Sequence, residues 1–293
     1  MKNKTVIFNH IPKTAGLTLS DIMKKQYSNN RIFLTLDYNG KTWEGGRVQA
    51  IKYFIDLPDY RRNEFNLITG HSALELFNSV IDPIGLVMLR EPVNRVLSLY
   101  SYMRKMKWHK FYDITNRYSL YECYKNKFHL EWNELYNGQF SSLVSTISKI
   151  NFNSTNFFYD DFERIIVFLK EYCLVGLVEK FDESLNLFAN YLNWNKSYYY
   201  SKINVTKDKP VIDPKTIEIV KYYNKDDIYL YNYFSNNFDN LMTNMDIKFK
   251  NNVQSFKSRN QLIMPLLLFN KQFNYYKRRL PQKFKTYFSK NPF

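Results

Sequence analysis

Phe8-Asn9-His10-Ile11-Pro12-Lys13-Thr14-Ala15-Gly16-Leu17-Thr18-Leu19 joins a β-branched and aromatic run beginning near Thr5 to a helix, through a turn that holds one Lys, one Gly and two Thr. Such a turn aims unpaired backbone N–H groups and the positive end of the helix dipole at one spot, and a Lys within it adds a mobile charge. The stretch therefore reads as an oxyanion loop for a ligand carrying phosphate or sulfate, in an α/β chain.

A nucleoside-triphosphate loop would read G-x-x-x-x-G-K-[ST], with Lys and a magnesium-binding hydroxyl at its end. Here Lys13 precedes Gly16, the glycine repeat is missing, and the residues reaching the helix start are Thr14 and Thr18. The stretch instead resembles the 5′-phosphosulfate loop of carbohydrate sulfotransferases, which use 3′-phosphoadenosine 5′-phosphosulfate (PAPS). The branch it is most similar to, with H-I-P-K-T-G-G-T-S, includes the uronosyl and glycosaminoglycan-type enzymes. Ala15 and Leu17 depart from that pattern: Ala costs little unless φ must be positive, and Leu17 removes one side-chain contact. On this resemblance Pro12, Lys13, Thr14, Ala15, Gly16, Leu17 and Thr18 line the 5′-phosphosulfate, and Lys13 also assists the leaving phosphate.

A second block lies farther along the chain. Ile84 to Leu89 is an apolar β-prone run ending at Arg90, and Pro92 opens an apolar-periodic helix through Val93, Val96, Leu97 and Tyr100. In the resembled family, L-R-(D/E)-P followed by Ser eight residues after the Arg holds the 3′-phosphate, which falls here on Arg90 and Ser98. An Arg at a strand's carboxyl end offers a forked pair of donors to a phosphate. A looser third block runs from Leu174 to Leu185 and on to Pro210, reading strand, helix and polar loop. Its Thr206, Lys207 and Lys209 are the candidates for the cap that closes over the nucleotide in relatives, with a plain solvated loop as the competing reading.

Sulfuryl transfer needs a base for the acceptor hydroxyl, and His suits that near neutral pH. His71 follows Leu67-Ile68-Thr69-Gly70 at the carboxyl end of a short expected strand, where sites in α/β sheets assemble. The resembled uronosyl enzymes carry a G-H pair at a similar place, whose His is the base. A purely structural role is the competing reading for His71. His10 is expected to anchor the turn, and His109 and His129 to be structural or substrate-facing.

Cys123 and Cys173 belong to no metal-ligand spacing and suit a reducing compartment. No metal is expected. No apolar run approaches the roughly 20 residues needed to span a bilayer; the longest, Leu262 to Phe269, contains Pro265. A cytoplasmic protein is expected. On the resemblance, residues 1–240 form one sulfotransferase domain with a helical insertion over about 103–148, rich in Tyr, Trp and Lys, which either helps form a saccharide acceptor cleft or simply covers the sheet. The expected fold is a P-loop-like three-layer α/β/α sandwich with a central parallel sheet.

Charge is uneven. Of the net +15, residues 242–293 hold eleven Lys and Arg against the single acid Asp246, or +10. This extension, 241–293, mixes cations with aromatics and fits an anionic membrane surface, with nucleic acid the lesser alternative on charge alone. The rival functions are a nucleotide or sugar kinase on the related P-loop fold, which would need magnesium ligands, and a non-catalytic protein that binds through its tail.

Overall fold

The computed structural model describes residues 4–35, 46–131, 134–150, 160–194, 198–201 and 212–279. Among these residues five strands form one all-parallel sheet in the order β2-β3-β1-β4-β5. The chain enters through β1 (Thr5–Asn9), turns into α1 (Gly16–Gln26) and reaches the sheet edge as β2 (Ile32–Leu34). Helices α2 (Gly46–Asp56) and α3 (Asp59–Arg62) lead to β3 (Leu67–Gly70), and β4 (Pro83–Leu89) then lands on the other side of β1. Beyond it lie α4 (Pro92–Lys105), α5 (Tyr112–Arg117), α6 (Leu120–Lys125), α7 (Gly138–Ile147) and α8 (Asp161–Tyr172). The sheet closes with β5 (Cys173–Leu177), followed by α9 (Phe181–Tyr191), α10 (Pro214–Tyr223), α11 (Lys225–Asn244) and α12 (Ile247–Arg279).

The strands read as near-continuous apolar runs because both faces of a parallel sheet are covered. Alternation still sorts them. Ile7, Ile68, Val87 and Leu89 face a layer made by α2, α7, α8 and α11, whereas Val6, Phe8, Leu67, Leu86 and Met88 face α1, α9 and α12. The result is an α/β/α arrangement in which Phe168 and Leu230 fill one side and Leu19 and Phe188 the other. A third cluster, from Val96 and Leu99 through Cys123, Tyr124 and Leu135 to Val220, unites α4, α6 and α10 beside the sheet.

The strand order places the site. The chain moves outward from β1 to β2, returns through β3, and crosses to β4, so the direction of winding reverses at β1. Ligands in open α/β sheets bind in the crevice outside the carboxyl ends of the strands at such a reversal. The register sets Asn9 level with Gly70 and Val87, and Leu89 level with Leu177, so the segments after β1, β3, β4 and β5 share one edge.

Candidate functional site

The turn after β1 is wound tightly. The His10 N–H donates to the Gly70 carbonyl at 2.9 Å, and the buried Thr14 hydroxyl donates back to the Ile11 carbonyl at 2.9 Å. Lys13 and Ala15 both take left-handed backbone, φ 71° and 60°. Helix α1 follows at once, with Ala15 at its N-cap and no side chain capping it. Its first-turn N–H groups thus face the sheet edge. A Cβ on Gly16 would stand 1.8 Å from His10 Cδ2, so glycine is what admits the imidazole. Thr14 spends its hydroxyl proton on the turn itself, which leaves its backbone N–H as its donor toward a ligand. Leu17 is exposed on α1 and Thr18 is buried.

Arg90, at the carboxyl end of β4, reaches the loop directly. Its Nη1 donates to the Lys13 carbonyl at 3.0 Å, while its buried Nε has no hydrogen-bond partner. The Lys13 ammonium lies 4.3 Å from the ring centre of Tyr102 on α4. Burial first, and then Arg90, bring the Lys13 ammonium down from 10.5 to about 8. Two cations thus share one desolvated corner, and among the described residues neither is ion-paired with an acid. Ser98 stands one helical turn before Tyr102 on the same face of α4, the face that meets Lys13.

His71 sits one strand away. Its Nδ1 lies 2.7 Å from the His10 carbonyl; a carbonyl can only accept, so Nδ1 carries the proton and Nε2 keeps its lone pair. The His10 ring stacks on it at 4.7 Å between centres and 17° between planes, and Thr35 holds the His71 carbonyl at 2.9 Å. Burial, chiefly, keeps His71 below its ordinary value, opposed by the His10 bond and by Glu134. His10, pressed down to about 3 by burial and then by His71 and Lys13, is neutral and acts as the wedge between the loop and β3.

Several functional groups escape the motif reading. Gln139, in the first turn of α7, clamps the Arg90 backbone as a neighbouring strand would, accepting from its N–H at 2.8 Å and donating to its carbonyl at 2.9 Å. Gln139 is itself held by Asp227 on α11, which accepts from its N–H at 3.0 Å and from that of Phe140 at 2.8 Å, and pairs with the fully buried Arg95 at 3.6 Å. Glu134 acts electrostatically on Lys13, His71, Tyr102 and His109. The rim beside it is aromatic: Trp108, 74% exposed, meets Tyr102 edge-on at 6.1 Å, and the His109 ring meets Tyr102 at 6.0 Å. No local pattern in the sequence marks Gln139, Asp227 or Glu134.

His129 belongs elsewhere: it is buried against Tyr124 and Tyr223, at 4.8 and 4.0 Å between ring centres. Thr206, Lys207 and Lys209, the expected nucleotide cap, lie outside the described residues. A polar and aromatic cavity of about 640 Å³ between α9 and α12, lined by Asn190, Trp194, Tyr199 and Arg259 among others, lies toward the opposite sheet edge and is separate from the loop. That edge is marked by Lys4, before β1, whose ammonium lies 5.7 Å from the Tyr191 ring. Among the described residues no group of three His, Cys, Asp or Glu is placed to hold a metal ion. The sequence matches no protein-family model and no curated protein.

Proposed function

We propose that this protein is a PAPS-dependent sulfotransferase on a P-loop-like fold, which moves a sulfuryl group to a hydroxyl of a saccharide. The observation that carries the reading is the Arg90 guanidinium, anchored to the Lys13 carbonyl yet with a buried Nε unpartnered, beside the Lys13 ammonium at the mouth of an uncapped helix. A buried charged donor left without a partner is costly, and a phosphate-bearing ligand would satisfy it.

PAPS supplies the sulfuryl group and departs as adenosine 3′,5′-bisphosphate. The loop amides from Lys13 to Thr18 would hold its 5′ end, and Arg90 and Ser98 its 3′-phosphate. Lys13 would face the bridging oxygen that gains charge as the sulfur–oxygen bond breaks. His71 Nε2 would take the proton of the acceptor hydroxyl as its oxygen bonds to sulfur, the imidazole being oriented by the His10 carbonyl. Tyr102, Trp108 and His109 offer ring faces to a sugar at the same rim. Cys123 and Cys173 are free thiols, which suits our placing the reaction in the cytoplasm.

Calorimetric titration with adenosine 3′,5′-bisphosphate tests the donor site, with Mg-ATP as control. Saturable binding that Arg90→Ala weakens at least about a hundredfold is expected, since one charge-assisted pair contributes ~3 kcal/mol. Preference for Mg-ATP would hand the site to a kinase. For the acceptor side, Trp108→Ala is expected to raise KM for saccharide several-fold while leaving bisphosphate affinity unchanged, measured by transfer of radiolabelled sulfate from PAPS.

A further inference from the structure

Helix α12 has two halves with different surroundings. Phe249, Val253, Phe256 and Asn260 recur at three- and four-residue spacing and are buried against α9 and the loop before Tyr200. The direction of travel follows from three contacts: Lys257 pairs with Glu183 at 2.7 Å, Asn260 accepts from the Tyr200 N–H at 2.9 Å, and Tyr200 donates to Asp182 at 2.8 Å. Asp182 and Glu183 form the first turn of α9, just past the carboxyl end of β5, whereas the Phe249 end of α12 lies with Asn193 by the far edge. So α12 runs antiparallel to α9 and climbs toward the edge that carries Lys13, His71 and Arg90.

Past Asn260 the helix continues to Arg279, adding about 28 Å at ~1.5 Å per residue. Its first two turns there carry large apolar side chains that are exposed. Leu262, Leu266 and Phe269 are 77%, 65% and 65% exposed, and Leu268 is 42% exposed. The buried seam fades into Ile263 and Leu267, which are half-buried. After this apolar band the sequence turns to Lys271, Phe273, Tyr275, Tyr276, Lys277, Arg278 and Arg279. Cations on both sides of a two-turn apolar band, Lys257 and Arg259 before it and Lys271, Lys277, Arg278 and Arg279 after it, suit a helix lying along the interface, its leucines at the acyl boundary and its cations among anionic headgroups. No described helix is long and apolar enough to cross a membrane.

We propose that residues 262–279 dock into an anionic phospholipid surface and that docking holds the Lys13, His71 and Arg90 edge, from which α12 projects, close to that bilayer. A second copy of the chain could also cover leucines, but the eleven cations against one acid in residues 242–293 would repel their own kind and attract acidic lipid. The membrane contact stands on α12 alone. Its corollary, that the acceptor is a saccharide hydroxyl carried on the membrane, rests on the sulfotransferase reading.

The test floats the full chain with vesicles of phosphatidylcholine, alone or with phosphatidylglycerol. Binding to the mixed vesicles is expected, weakening with salt, and falling at least about tenfold for the combined variant Leu262→Ser, Leu266→Ser, Phe269→Ser. Those side chains are exposed, so the variant should keep wild-type melting and bisphosphate affinity, which separates loss of docking from loss of fold. Equal flotation of variant and wild type would overturn the proposal. So would a soluble wild-type dimer that the same substitutions split. Orientation is read by energy transfer to a labelled lipid from a dye on Asn94→Cys, at the start of α4, or on Asn190→Cys, at the end of α9. Stronger transfer from position 94 is expected; the reverse order overturns the placement of that edge near the bilayer. Bisphosphate titration without vesicles tests the catalytic reading independently.

Discussion

Ala15 holds a left-handed φ of 60° where sulfotransferase loops carry glycine. An L-residue there is strained by roughly 1 kcal/mol, so Ala15→Gly is expected to raise stability by up to about 1 kcal/mol in urea unfolding with donor binding retained. Gly16→Ala should do the opposite, because its methyl would overlap the His10 ring, and bisphosphate affinity should fall with it. The same corner sets two pH responses. Lys13 loses its proton near pH 8, so bisphosphate affinity should decline above that pH, and binding at pH 8 should take up protons, as calorimetry in buffers of different ionisation enthalpy would record. His10 is held at about 3 when folded against 6.5 when unfolded. The unfolded chain therefore binds the extra proton between those values, and stability should fall as pH drops below 6.5, seen as a lower Tm at pH 5 than at pH 7. His71 and Arg90 were legible because each follows a short apolar run and falls at a strand end; Thr14 was legible as a loop residue, but not in its inward bond to Ile11.

At the level of elements, the loop is local and its support is not. Strands β1, β3, β4 and β5 and helices α1, α4 and α9 follow from apolar runs, a proline at a helix start and the spacing of buried residues. What fixes Arg90 comes from α7 and α11, some 49 and 137 residues beyond it, and no short pattern announces a glutamine that imitates a strand. Gln139→Ala is expected to lower bisphosphate affinity about tenfold through Arg90, whereas Gln139→Glu should keep one backbone bond and a milder loss. Asp227→Asn breaks a fully buried pair and leaves Arg95 uncompensated, at a cost of about 3–5 kcal/mol in chemical denaturation. Gly138 belongs to the same assembly, since a Cβ there would lie 2.6 Å from Arg95 Nη2. The long helix α12 shows a further limit of local reading: Pro265 marks a break in an apolar run, yet the helix passes through it.

For the whole molecule, the parallel order β2-β3-β1-β4-β5 has a consequence in the cell's manufacture of the chain. The earliest of the described strands is the innermost: Asn9 must wait for Val87, 78 residues later, before its second neighbour exists. At ordinary elongation speed that is roughly 4–16 s of exposure for Val6, Ile7 and Phe8. Ribosome-bound chains stopped short of β4 should therefore stay open to protease around residues 5–19, and longer ones should become protected there in a single step. A chaperone that grips extended apolar segments has its best opportunity in that interval, at the very strand that will later lead into the loop before α1.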